Sequence, residues 1–218
     1  MRQAAGPKFA VLLALLGAPL LTACGDTPHP GAAATLGGER ITVAQVQSRV
    51  DETRDAQNAA PNAADLIAKT PSLQRSTLYN MIFDRVLDRA LVDTGAGQPD
   101  AAEVQASRAA LEERFGSAEA LEAAALQGGI APSQLDAVAR QDAGVNRLLQ
   151  VVNGDQAAAG KALEKAADEL HIDVNPRFGE WNATTLQKGA LQNSELPWLK
   201  PVSAGAPAAA EQQQQQQQ

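Results

Sequence analysis

The side chains of this 218-residue chain with the most chemical reach are one cysteine, Cys24, two histidines, His29 and His171, and acid pairs such as Glu112-Glu113 and Asp168-Glu169. A lone thiol closes no internal disulfide and is read instead as a nucleophile or an attachment point. No pair of histidine and cysteine residues has metal-ligand spacing, and no glycine-rich loop leads into a lysine and a helix as a phosphate cradle would. The acid pairs fall on helical faces beside Arg and Lys, where they read as solvated charge. His171 sits in a stretch of strand spacing and reads as a surface residue rather than a base. Arg177 could hold a carboxylate, although an ion pair that orients the local backbone is the more ordinary role. Trp181 and Trp198 suit a core or a binding surface equally. These residues build no catalytic constellation. The expectation is a protein that is not an enzyme, with no catalytic residue, metal, cofactor or small-molecule ligand.

The surroundings of Cys24 explain why it is there. Arg2 and Lys8 form a short positive region, and Phe9 to Leu21 is apolar, broken only by small residues and Pro19. That run is too short to cross a membrane and remain, so residues 1–23 read as an export signal. Leu21-Thr22-Ala23-Cys24 resembles the lipobox of bacterial lipoproteins. The resemblance implies a diacylglyceryl group on the Cys24 thiol and cleavage before Cys24, which becomes the new N-terminus. More than one acyl chain gives stable anchoring. The expected location is the extracytoplasmic face of a bacterial cell membrane, with residues 24–32, rich in Pro and Gly, as a flexible tether.

Bulk properties narrow the partners. The formal charge is −7; loss of Arg2 and Lys8 with the leader, before the first acid at Asp26, leaves about −9. A nucleic-acid partner would call for a basic face, so none is expected. Membrane association is expected through the anchor alone. No cysteine follows Cys24, so the fold uses no disulfide. Few aromatics (3%) and abundant alanine favour helices.

The elements that must carry these residues follow from periodicity. Gly37-Gly38 between two short extended pieces predicts a hairpin over 34–41. Thr42 with Gln45 forms a capping box before a helix with Val43, Val46 and Val50 on one face. Residues 55–65 read as a loop or a frayed helix end. Thr70-Pro71 opens the strongest helix, with Pro71 as its first residue. Two i+4 rows run along it: Leu78, Ile82, Val86, Ala90 and Tyr79, Phe83, Leu87, Leu91. They predict the central core helix. Asp100 and Glu103 cap a helix that buries Val104, Leu111 and Phe115 and stops at Gly116. Ser117 caps a shorter one ending at Gly128-Gly129. Further helices are expected from Pro132 to Val152 and over 156–170. Ile172 and Val174 then alternate with His171 and Asp173 as in a strand, which Asn175-Pro176 ends or bends. Arg177 to Trp181 read as its continuation. Residues 182–200 form a C-terminal arm with little pattern, and 201–218, Pro, Ala and Gln, read as disordered. The Asn182-Ala183-Thr184 sequon is taken as a chance match. The fold class is therefore mainly α, with a small N-terminal hairpin pairing with a C-terminal strand.

This order, with Ala34 to Val46 around Gly38, Ile41 and Thr42, Gly128-Gly129-Ile130 to Leu149, and Asn175-Pro176-Arg177-Phe178-Gly179, resembles the N-terminal chaperone domain of the SurA and PrsA foldases, over about residues 33–181. It is similar to the short lipoprotein members of that group. Two departures stand out. Gly37 replaces the usual Asn of an Asn-Gly turn. The parvulin module is missing, since only one helix fits between Val152 and His171, so prolyl isomerase activity is not expected.

The resemblance implies a membrane-anchored holdase that binds unfolded, newly exported polypeptides in an apolar cleft without energy input. Expected client contacts are Leu78, Met81, Ile82, Phe83 and Trp198. The alternative is a non-catalytic scaffold that docks one cell-envelope partner. A broad apolar cleft would favour the first, and a polar surface with one compact patch the second.

Overall fold

The computed structural model describes residues 31–182 and 191–192. The signal segment, Cys24, most of the tether, Trp198 and the rest of the C-terminal arm and tail lie outside the described residues. No helix among the described residues is long and apolar enough to cross a membrane.

The chain enters through the expected hairpin. Strand β1 (Ala32–Leu36) pairs antiparallel with β2 (Glu39–Thr42). Gly37 and Gly38 turn the chain at φ 57° and 81°, the left-handed pair that a two-residue hairpin turn needs. β1 also pairs with β3 (Asp173–Val174), giving the order β2-β1-β3. The hairpin thus closes the fold against a strand from the far end of the chain, as the sequence predicts.

Helix α1 (Val43–Ala59) starts at Thr42 with the predicted capping box, completed by Gln45. A short helix, α2 (Ala63–Lys69), follows, and then the 21-residue α3 (Leu73–Asp93). α4 (Ala101–Phe115) begins at the Asp100–Glu103 capping box and ends at Gly116, φ 95°. α5 (Ala118–Gln127), α6 (Leu135–Val151) and α7 (Gln156–Glu169) complete the helical set. The protein is mainly α, and α3 is its axis, contacting α1, α6, α7 and β1. One predicted row, Leu78, Ile82, Val86 and Ala90, is fully buried; in the other, Leu87 and Leu91 are buried and Tyr79 and Phe83 half-buried. A second apolar cluster joins α4, α5 and α6 through Leu111, Leu121, Leu135 and Ala139.

Several expectations require correction. Residues 55–59 continue α1 instead of fraying, and the expected loop shrinks to three residues before α2. The apolar period fails there because Thr53 and Gln57 are the inward residues, both fully buried and hydrogen-bonded. Pro71 lies outside α3: with Ser72 it forms a turn, and the helix starts at Leu73. A 3₁₀ turn, Pro132–Gln134, precedes α6. Phe115, placed last in α4 beside Gly116, is 45% exposed rather than buried. His171 belongs to no strand. It follows α7 with φ 46°, and its Nδ1 lies 2.9 Å from the Glu169 carbonyl. Arg177 does not extend β3. Pro176–Phe178 form a 3₁₀ turn, after which β4 (Glu180–Trp181) pairs with β5 (Leu191–Gln192). Leu191 is buried, so the arm contributes at least one core residue.

Candidate functional site

The residues around Asn175 form a tightly specified corner. The Asn175 main-chain N–H donates to the Ala33 carbonyl at 2.9 Å, and its Nδ2 donates to the Ala32 carbonyl at 3.1 Å. Its Oδ1 accepts from the Arg177 N–H at 3.1 Å. One side chain therefore fixes both the sheet edge and the turn after it. Pro176 supplies the preset φ that a 3₁₀ turn starts with. Phe178 is buried, and Gly179 follows at φ 124°, ψ −170°, a conformation open essentially to glycine alone.

This corner is one wall of a cleft of about 520 Å³. The second wall is the middle of α1, with Val50 and Arg54. The third is the segment from Pro71 to Arg75, which turns into α3. Val50, Leu73 and Phe178 give the cleft an apolar floor, and Pro71 and Pro176 stand at its exposed edges. Three arginines, Arg54, Arg75 and Arg177, line it, and no carboxylate is among its described lining residues.

Each arginine is held differently. Arg54 is half-buried. Its Nη1 donates to Gln57 Oε1 at 2.7 Å and to Thr70 Oγ1 at 2.9 Å, and its Nη2 donates to the Thr70 carbonyl at 2.8 Å. All three acceptors are neutral, so the guanidinium is fixed in place without being neutralised. Arg75 Nη2 donates to Ser72 Oγ at 2.8 Å. The Arg177 guanidinium lies 5.2 Å from the Phe178 ring centroid, in cation–π range. Neither Arg54 nor Arg177 forms an ion pair with a described residue. The structural ion pair expected for Arg177 is therefore replaced by a contact with its own neighbour.

A smaller recess of about 90 Å³ lies between α1, α3 and α6, next to Gly129. Asp84 opens into it and accepts a hydrogen bond from Gln141 Nε2 at 2.9 Å. Burial raises the Asp84 carboxyl above its ordinary range, and the Gln141 bond and the Arg49 and Arg85 charges act in the opposite direction.

The expected client contacts fare unequally. Leu78, Met81 and Ile82 are buried in the main core, because the α3 stripe is covered from several sides. Phe83 is half-buried and stacks on Tyr79 at 6.1 Å between centroids. Trp181 joins that row, 6.4 Å from Tyr79, and its buried Nε1 has no hydrogen-bond partner among the described residues. Trp198 lies outside the described residues. The large exposed apolar residues, Ile67, Val92, Phe115 and Val151, come from four different helices.

Of the sequence motifs, Pro176, Arg177, Phe178 and Gly179 are brought to the cleft and Asn175 braces them, whereas Gly38, Ile41 and Thr42 shape the hairpin and the start of α1. Sequence reasoning misses Arg54 and Arg75. The usable signal was the polar run inside a helical segment, Thr53 to Gln57, which betrays an inward-facing hydrogen-bond network. Among the described residues no group of three or more His, Cys, Asp or Glu is placed to hold a metal ion. No protein-family model, curated protein or solved structure matches the chain.

Proposed function

We propose that this chain is a membrane-tethered, non-catalytic polypeptide-binding protein of the extracytoplasmic chaperone type, held by an acylated Cys24 at the outer face of a bacterial cell membrane. The observation that carries the reading is the position of Pro176 to Gly179. The stretch that resembles the foldase lipoproteins forms a wall of the cleft of about 520 Å³. A recess of this size is in the range that encloses a short segment of a ligand. Its walls mix apolar floor, exposed proline and fixed guanidinium, which suits transient contact with an extended chain. The hairpin, the core helix α3 and the closing strand β3 are consistent with the same resemblance.

Burial of Leu78, Met81 and Ile82 favours a narrower form of this reading, in which the protein docks one envelope partner or a restricted set of segments. A broad holdase needs a large exposed apolar surface, and the described residues offer a compact cleft of mixed apolar and polar lining instead.

The test is suppression of aggregation. The full chain is added at near-equimolar ratio to a chemically unfolded, unrelated protein, and light scattering is followed against serum albumin. Suppression above the control supports the general chaperone. No suppression, together with one discrete crosslinked partner from the membrane-anchored form, supports the dedicated binder. Neither result would remove the polypeptide-binding reading.

A further inference from the structure

The recess between α1, α3 and α6 carries polar chemistry that the polypeptide-binding cleft does not use. Thr77, Asn80 and Asp84 recur at helical spacing on α3, so they form one column of that helix, and all three line the recess. Thr77 is buried and Asn80 half-buried, yet neither side chain hydrogen-bonds to a described residue. Asp84 accepts from Gln141 Nε2 at 2.9 Å and forms no ion pair with a described residue. Its carboxyl feels Arg49 from α1 and Arg85 and Asp88 from α3. Burial outweighs the two arginine charges and the Gln141 bond and raises it, as befits an acid that no cation touches. Arg49 also lines the recess and is half-buried. Ile130, Ala137 and Val138 supply the apolar part of the wall. The volume, about 90 Å³, is smaller than the roughly 150 Å³ of a cavity that holds benzene. Polar groups between packed helices are ordinarily bonded to one another. An apolar column at these positions would seal α3 against α6 at lower cost, so the polar one has the character of a site.

We infer that this recess binds a small free α-amino acid as its zwitterion, with Asp84, Thr77 and Asn80 receiving the ammonium group and Arg49 the carboxylate. The inference goes beyond the polypeptide-binding cleft, shares no lining residue with it, and departs from the sequence expectation of no small-molecule ligand. One acid and one guanidinium on the same recess select against single charges. A cation alone would pair with Asp84 but meet the Arg49 charge. An anion alone would pair with Arg49 but meet Asp84. A zwitterion is attracted at both ends. An ammonium group has three N–H donors to place, and the carboxylate, hydroxyl and amide oxygens of the α3 column are acceptors for them. The planar fork of Arg49 matches a carboxylate. The small volume restricts the ligand to side chains of the size of glycine, alanine or serine, which Ala137 and Val138 would pack.

Amide NMR of the full chain at neutral pH tests this, with three ligands titrated separately: L-alanine, the cation L-alaninamide and the anion N-acetyl-L-alanine. The expected result is saturable shifts of the Gly129 and Ile130 amides, which belong to the recess, on addition of L-alanine. Each singly charged analogue should bind at least about tenfold more weakly. Asp84→Asn and Arg49→Gln should each lower the affinity for L-alanine about tenfold or more. Asp84→Asn keeps an acceptor for Gln141 and removes a buried charge, so its loss of binding is not a loss of fold, and circular dichroism of both variants verifies this. L-Leucine is the size control and should bind no better than the analogues. Absence of a saturable shift with L-alanine at tens of millimolar overturns the inference. So do shifts confined to residues away from the recess, binding of either analogue as tight as that of L-alanine, or unchanged affinity in either variant. None of these outcomes bears on the polypeptide-binding cleft, so the two readings stand or fall separately.

Discussion

Arg54 reaches across from α1 to the chain just before α3, where its Nη2 donates to the Thr70 carbonyl at 2.8 Å. Gln57, one helical turn on, completes the junction. It is fully buried, accepts from Arg54, and its Nε2 contacts Thr70 Oγ1 at 3.2 Å and the Leu126 carbonyl at 3.2 Å. One amide therefore ties α1 to the end of α2 and to α5, and holds the cleft arginine in position.

Removing that amide should be costly. Gln57→Leu keeps approximate volume but removes the Gln57 acceptor of Arg54 Nη1 and the buried amide bond to Thr70, together with the bond to the Leu126 carbonyl, which keeps the Gly129 N–H. The expected loss is about 2–3 kcal/mol. Urea denaturation measures it, and a loss within error of zero would show that the network is not intact in solution.

The turn at Gly37 explains the departure from an Asn-Gly hairpin. Gly37 has φ 57°, which Asn tolerates, but a Cβ there would lie 2.7 Å from Leu170 Cδ2, at the end of α7. The Gly37 N–H also donates to the Leu170 carbonyl at 2.6 Å, so the turn cannot simply move away. Gly37→Asn is expected to cost about 1 kcal/mol. Leu170→Ala also destabilises, yet in that background the Asn substitution should cost markedly less. Additive losses in the double-mutant cycle would contradict the contact.

Much of this architecture is legible in the sequence because it rests on local rules. The Thr42–Gln45 and Asp100–Glu103 boxes, the Gly37-Gly38 turn and the two rows of α3 each follow from neighbours within a few residues. What escapes is inverted polarity and long range. Gln57 faces inward because its partners lie on α2, the turn before α3 and α5, which no local pattern reports, and Thr53, one turn earlier, returns its hydroxyl to the Arg49 carbonyl of its own helix. Phe115 looks like a core residue by type and spacing, yet α4 ends before anything covers it. The Asn175–Gly179 stretch is visible as a motif, but its role as a cleft wall depends on α1 and the Pro71–Arg75 segment folding against it.

Asp84 gives the fold a definite pH response. Its carboxyl is raised above the ordinary range, first by burial, so the folded state holds this proton more tightly than the unfolded chain. Its contribution therefore favours folding when protonated, at acid pH. That advantage fades as pH rises from the ordinary carboxylate range through the raised value. Arg49, Arg85 and Asp88 face the same carboxyl, and Gln141 bonds to it. Asp84→Asn keeps an acceptor for Gln141 and removes the buried charge. It should match or exceed the wild-type melting temperature at pH 7, with the advantage disappearing near pH 3. A variant clearly less stable at pH 7 would show that the charge is needed there.

The central claim is that polypeptide enters the cleft between α1, the start of α3 and the Pro176–Gly179 turn. A photoreactive amino acid placed at Gln74, an exposed lining residue, reports on that directly. Val92, 66% exposed near the other end of α3, serves as the control position. The full chain carrying either probe is irradiated with a chemically unfolded protein and, separately, in its membrane-anchored form with its native neighbours. The account predicts crosslinks to polypeptide from position 74 that exceed those from position 92 and that Arg177→Gln reduces. Equal crosslinking from both positions, or none from position 74, would contradict it.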